Sequence, residues 1–320
     1  MKAIQVHQFG DPQVMKLEDV TDLQPAPTQV VIKVYAVGVN PVDTYIRAGW
    51  YPIAPSLPYT PGFEAAGIVE AIGKNVKTIQ VGQRVFIAGT LSGAYAEKTL
   101  CDAWQILPLP NRYNFEQGAS IYSAYATAYR ALFQRAAARA GETILIHGAS
   151  GGVGLATLQW ARTAGMTIIA TAGSEKGRRL IAEEGADHVL DHHDPDHCNA
   201  IRQLTDGRGV NVILEMLANV NLDDDLKILA KYGRVVIIGS RGPIQIDPRD
   251  TMSRDTSILG MSMVNASPDN LTVIRAAITA ALDHAMIDPV VGRELPLADA
   301  SRAHQEIIEA KAHGKIILVP

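Results

Sequence analysis

Apolar residues follow two different periods along this chain. Residues 30–37, 65–72 and 84–87 are short runs rich in valine, isoleucine and alanine, and the same β-like texture, punctuated by glycine and proline, extends from residue 2 to about 108. Short runs with frequent turn signals predict a partly closed β domain. From 122 to 263 the texture changes to alternating units. A helical stretch at 124–138 leads to an apolar, β-branched run at 143–147, after which Val153, Leu155, Leu158, Ala161 and Ala164 recur at helical spacing. Further strand-like runs lie at 167–171, 188–190, 210–215, 235–238 and 257–262, with a helical segment at 176–184. Strands separated by helices predict a parallel sheet covered on both faces. Residues 268–286 and 298–312 read as helices, and 315–319 as a terminal strand that rejoins the first domain. The expected class is α/β: a doubly wound parallel sheet plus a partly closed β-barrel, divided at 1–121, 122–263 and 264–320.

The change of period at 147–154 carries the chemistry. Between the strand and the helix stands H-G-A-S-G-G-V-G, with Gly148, Gly151 and Gly154 at the turn and Ala149 in the first glycine position of the usual GxGxxG pattern. A helix N-terminus opened by such a turn offers free amides and a positive dipole end to a pyrophosphate, and larger side chains would block that approach. Because a strand precedes the turn and a helix follows it, the motif reads as a Rossmann-type dinucleotide site. Ser150, Gly151, Gly152, Val153 and Gly154 are the expected phosphate contacts.

Composition narrows the setting. A length of 320 residues suits two domains, and 47% hydrophobic residues is ordinary for a globular protein. No apolar run reaches bilayer-spanning length, and residues 1–11 read as a first strand rather than an export signal, so the expected location is the cytoplasm. Cys101 and Cys198 are far apart and lack CxxC spacing, which gives neither a disulfide framework nor a cysteine-rich zinc site. A net charge of −4 with dispersed basic residues makes nucleic acid an improbable partner.

A β-rich domain interrupted by a dinucleotide domain resembles the medium-chain dehydrogenase/reductase superfamily, and particular segments narrow the resemblance to its zeta-crystallin-like quinone oxidoreductases. These are G-V-N-P-V-D-T-Y-I-R (38–47), P-Y-T-P-G (58–62), H-G-A-S-G-G-V-G (147–154), E-M-L-A-N-V-N-L (215–222), and G-S-R-G followed by I-D-P-R-D-T-M (239–252). The resemblance implies a GroES-like first domain, an NADPH:quinone oxidoreductase activity without metal, and a homodimer or homotetramer. Where zinc-dependent members carry a cysteine and a histidine, this chain has Asn40 and Phe63, and Glu64 alone cannot hold a catalytic metal. His188, His192, His193 and His197 cluster without ligand spacing and read as a polar loop.

The cofactor expectation rests on the tip of the second strand of the dinucleotide domain. NAD-selective folds place an acidic residue about 20 residues beyond the glycine turn. Here stand Ala172, Gly173 and Ser174, followed by Lys176, Arg178 and Arg179, a set that favours the 2′-phosphate of NADPH; Glu175 leaves the NAD alternative open. By resemblance, His192 contacts the adenosine end, and Asn221, Ile238, Gly239, Ser240 and Arg241 line the cofactor. Thr127 neighbours the nicotinamide, and Met261, Ser262 and Met263 meet its carboxamide or pair as an edge strand with a second subunit.

Without metal, charge developing on a carbonyl oxygen needs hydrogen-bond donors. Asn40, Tyr45 and Tyr51 are the candidates, in a loop that the resemblance lays over the nicotinamide, with Asn40 and Tyr45 also touching the cofactor. A phenol ordinarily titrates at about 10 and can donate to a quinone oxygen, or the two rings only shape the pocket. Quinones and activated alkenes such as enones fit the same loop. A binding role is the remaining class, since the family resemblance extends to lens proteins and to members associated with AU-rich RNA.

Overall fold

The computed structural model describes residues 1–52, 54–309 and 313–320. The chain divides into two compact units, Met1–Ser123 with Pro289–Pro320, and Ala124–Asp288.

The first unit is a mixed, mainly antiparallel sheet. Its strand order is Val291–Pro296, Lys315–Val319, Gln29–Val39, Ala65–Ile72, Arg84–Ile87, Ile106–Pro108, with Lys98–Asp102 also paired to Gln29–Val39 and a separate ribbon of Lys2–Val6 and Met15–Asp19. The 11-residue strand Gln29–Val39 is long enough to pair with three others. Its register against Ala65–Ile72 shifts at Val31/Ile32 and at Val34/Ala36. Such bulges bend a sheet and help it wrap. Inside lie Ile4, Val30, Ile32, Val37, Val69, Val85 and Ile316. The helices Pro41–Ala48 and Ala300–Ile308 belong to this unit. The predicted helix at 298–312 begins with a 3-10 turn at Leu297–Asp299, and its expected end at 310–312 lies outside the described residues.

The second unit is the parallel sheet. Its six strands run in the order His188–Leu190, Thr167–Thr171, Thr143–Ile146, Val210–Glu215, Leu229–Ile237, Ser257–Gly260, all neighbours parallel. In sequence numbering that is 3-2-1-4-5-6, the order of a doubly wound dinucleotide fold. Ile144, Leu145 and Ile146 are fully buried, as a central strand covered on both faces requires. The helices Gly152–Thr163, Glu175–Glu183, His197–Leu204 and Ala218–Ile228 connect the strands. Two sequence expectations need correction. The stretch at 124–138 is an α-helix over Tyr122–Tyr129 that becomes a π-helix over Arg130–Arg135. The return to the first unit, expected at 264, comes at Pro289, because the helix Pro268–Asp283 buries Ile274, Ile278, Ala281 and Leu282 within the second unit. No helix among the described residues is long and apolar enough to cross a membrane.

Candidate active site

In the second unit every expected cofactor contact except Thr127 lies at or just beyond the carboxyl end of a sheet strand, where open α/β sheets bind ligands. After Thr143–Ile146 the chain enters the glycine turn and the helix Gly152–Thr163, whose N-cap Gly151 supplies no side chain to its free amides. Gly154 must be glycine: a Cβ there would sit 2.5 Å from the Ala149 Cα. Ala149 itself is buried and its amide donates to the Thr171 carbonyl at 2.9 Å, so its methyl fits the core side of the turn. Ser150 leans toward the next helix, its Oγ 3.0 Å from where a Gly177 Cβ would lie.

After Thr167–Thr171 come Gly173 and Ser174. Ser174 caps the helix Glu175–Glu183 by accepting the Gly177 amide at 3.0 Å. The rings of His192 and His193 stand edge to face with centroids 4.5 Å apart, and a nitrogen of each lies 2.5 Å from where a Gly173 side chain would begin. Burial, then the neighbouring His193, lower the pKa of His192 and keep its ring neutral. Two of the three expected phosphate cations are otherwise engaged: Arg178 pairs with Asp191 at 2.6 Å and Arg179 with Glu175. That engages the acidic side chain that could have served NAD. Lys176 forms no ion pair among the described residues.

Asn221 is aimed by a buried carboxylate. Its Nδ2 donates to both oxygens of Glu215 at 3.2 Å, and Glu215 also accepts the Leu217 amide. Behind Glu215, His147 Nε2 bonds Asp225 Oδ1 at 2.8 Å and stands 3.7 Å from Glu215 Oε2. Burial opposes the imidazolium, but the Asp225 and Glu215 carboxylates outweigh it and raise His147 to about 9; burial pushes Glu215 upward. His147, Glu215 and Asp225 bring three ligand-type atoms within 4.8 Å, and these are joined to one another by the His147–Asp225 contact. The Ile238 amide bonds the Glu215 carbonyl at 2.9 Å, Gly239 accepts the Ala218 amide, Ser240 turns back to the Gly242 carbonyl, and the Arg241 amide bonds Asn219. Arg241 is exposed. Met261 continues the ladder by bonding the Ile237 carbonyl at 3.0 Å. Thr127 is half-buried on the helix Tyr122–Tyr129, while Tyr129 packs against Phe133 and Trp160.

In the first unit Asn40 is the N-cap of Pro41–Ala48, and its amide donates to Asp43 Oδ2 at 2.8 Å. Its side chain faces elsewhere. Lys315 Nζ donates to Asn40 Oδ1 and to Glu64 Oε2, both at 2.6 Å, and Asn40 Nδ2 donates to Glu64 Oε2 at 3.1 Å. Lys315, Glu64 and Asn40 are all buried. Tyr45 and Tyr51 are half-buried, and their hydroxyls have no hydrogen-bond partner among the described residues. A cavity of about 490 Å³ adjoins the loop, lined by Asp43, Ile46, Tyr59, Phe63 and Leu91 among others but by none of Asn40, Tyr45 and Tyr51.

The zinc position of related enzymes does not fit a metal here. Asn40 offers a carboxamide and Phe63 nothing, while the Glu64 carboxylate already holds an ammonium. The sequence reading missed Lys315, although a lysine heading the apolar run I-I-L-V was a visible signal. It also passed over Asp43 as a buried acid. Burial pushes this carboxyl up to about 7 against the pull of the Asn40 amide and Lys315. Tyr95 donates to Asp43 Oδ2 at 3.2 Å and pairs with His304 at 3.0 Å, and burial drives His304 down to about 3.

Comparison with known proteins gives this geometry its family. Residues 26–111 match the alcohol dehydrogenase GroES-like domain, and 152–279 match the zinc-binding dehydrogenase domain. An NAD-dependent alcohol dehydrogenase superposes with a TM-score of 0.93 at 27% identity over 100% of both chains, so the fold alone does not select the cofactor. The Escherichia coli quinone oxidoreductase complexed with NADPH superposes with a TM-score of 0.91 at 29% identity, again over 100% of both chains. The quinone oxidoreductase of Mus musculus is 48% identical and that of Homo sapiens 44% identical, each across 100% of this chain and 98% of the relative. This chain therefore belongs to the quinone oxidoreductase family of the medium-chain dehydrogenase/reductase superfamily.

Proposed function

We propose that this protein is an NADPH-dependent quinone reductase that works without metal. The observation that carries the reading is the joint state of two positions: an open phosphate-binding turn with Lys176 beside an uncharged Gly173–Ser174 tip, and a zinc position filled by the Lys315 ammonium. The mouse and human relatives are named quinone oxidoreductases, and the Escherichia coli one is complexed with NADPH.

When bound, NADPH supplies hydride or electrons to the acceptor. The protein does the rest. Amides at Gly152, Val153 and Gly154 hold the pyrophosphate, with Ser150 and Gly151 shaping the turn. Gly173, Ser174 and Lys176 receive the 2′-phosphate, His192 flanks the adenosine, and Asn221, Ile238, Gly239, Ser240 and Arg241 line the remainder. Thr127 and Met261, Ser262 and Met263 meet the nicotinamide. Tyr45 and Tyr51 face the acceptor, as donors or as walls. Asn40 also contacts the cofactor, but with both ends of its carboxamide engaged its catalytic contribution is to fix the loop.

Enones are the rival acceptors. RNA remains the rival partner, disfavoured by the net charge of −4. The proposed setting is the cytoplasm and the proposed assembly a homodimer or homotetramer through the open edge strand Ser257–Gly260, whose Ile258 is exposed. The deciding experiment follows NADPH oxidation with ortho-quinones, para-quinones and enones, beside a direct NADPH titration. Turnover with quinones well above enones supports the reading. Failure of the protein to bind NADPH sinks it.

A further inference from the structure

The helix Tyr122–Tyr129 runs directly into six residues of π-helix, Arg130–Arg135, and the Ala136 amide donates to the Ala131 carbonyl five residues back at 2.9 Å. π turns are rare and recur at functional sites. This one changes which side chains share a side. On an α-helix, residues five apart point about 140° away from each other; bonding from i to i+5 widens the turn and brings them onto the same side. Arg130 and Arg135 therefore face the same way, beside Gln134.

All three reach the same stretch of backbone. Arg135 Nε donates to the Gly260 carbonyl at 2.9 Å, Arg130 Nη2 to the Asn265 carbonyl at 3.2 Å, and Gln134 Nε2 to the Asn270 carbonyl at 3.1 Å; Arg130 Nη1 steadies Gln134 Oε1 at 3.0 Å. Gly260 ends the last parallel strand and Asn265 ends the following 3-10 turn. The two arginines thus grip the chain on either side of Met261, Ser262 and Met263. Between them the Met261 amide is taken by Ile237, and the Ser262 and Met263 carbonyls by Asn265 and Ala266. Among the described residues, the Met261 carbonyl and the Met263 amide have no backbone partner. An acceptor and a donor two residues apart are what a planar carboxamide needs, because it presents one N–H group and one carbonyl side by side.

Arg130 stands out within this arrangement. It is only 6% exposed, forms no salt bridge among the described residues, faces neutral oxygens, and leaves its Nε unpartnered. A desolvated guanidinium without a counter-ion is costly, and folding alone gives no reason to keep it.

We infer that Arg130, Gln134 and Arg135 are positioning residues, and that the π turn exists to hold Met261–Ser262–Met263 open for the nicotinamide carboxamide. This rests on the proposed cofactor reading. The test compares two ligands, NADPH and 2′,5′-ADP, which carries the adenosine and its 2′-phosphate but no nicotinamide. Arg135→Ala, at an exposed position, is expected to weaken NADPH about 10-fold and to leave 2′,5′-ADP within about twofold, with Arg135→Lys recovering part of the loss. Arg130→Gln is expected to act in the same selective way. Equal losses for both ligands, or no loss for either, would overturn the inference. Wild-type protein that bound 2′,5′-ADP but not NADPH would instead refute the functional reading, so the two failures remain distinct.

Discussion

Lys315 shows how one side chain fixes a site. Its ammonium is buried between Asn40 and Glu64, and Asn40 begins the helix that carries Tyr45. Removing one partner of a buried ion pair strands the other, at about 3–5 kcal/mol. Lys315→Met is therefore expected to lower the unfolding free energy by about that much, and Lys315→Met with Glu64→Gln to recover most of it, as denaturant titration would measure. Asp43 works in the opposite sense. Its folded value of about 7 lies above its ordinary 3.8, so the folded state holds a proton that the unfolded state releases between those pH values. Stability falls as pH rises through that window, and the full cost remains above it. Asp43→Asn keeps an oxygen for the Asn40 amide and removes the charge. Equilibrium unfolding should find it more stable than wild type at pH 8, with the difference shrinking toward pH 4. Lys176 bears on cofactor choice: Lys176→Ala should weaken NADPH about 10-fold while leaving NADH unchanged, and equal effects on both would show that this lysine does not read the 2′-phosphate.

Among the elements, the strand Thr143–Ile146 and the helix Ala218–Ile228 are tied by the buried His147–Asp225 pair. Because the His147 value is raised from 6.5 to about 9, the pair's stabilisation is full below pH 6.5 and is lost as pH rises through about 9. Thermal melts between pH 6 and 10 should show that decline, and His147→Gln should flatten it. The period of the apolar residues sufficed for the six parallel strands and the glycine turn, since buried parallel strands and helical faces leave a local signature. It did not suffice for the π-helix Arg130–Arg135, whose residues differ from an α-helix only in the carbonyl each amide selects. Nor did it locate the return to the first unit, because the apolar face of Pro268–Asp283 fits either sheet until packing decides. At the site, the turn and the missing zinc ligands were readable from residue types. The Lys315–Asn40–Glu64 cluster was not, since its members are joined only by folding.

At the scale of the whole molecule, the elements proposed to bind the cofactor phosphates all lie within Ala124–Asp288. NADPH at 100 times its Kd should stabilise the protein by about 2.7 kcal/mol. Hydrogen exchange should slow most at 148–154, 173–177 and 260–265; slowing confined to the first unit would contradict the site. The first unit has another property: its sheet is closed by Lys315–Val319, which lies between Val291–Pro296 and Gln29–Val39. During synthesis, the Rossmann-type unit leaves the ribosome whole and can fold at once, whereas the earlier-made barrel must wait, with a gap in its sheet, for Lys315–Val319 to emerge. Birth order and completion order are therefore reversed, and a nascent chain that has released Ala124–Asp288 but not yet Lys315–Val319 would display a finished cofactor fold together with an open seam that chaperones can find.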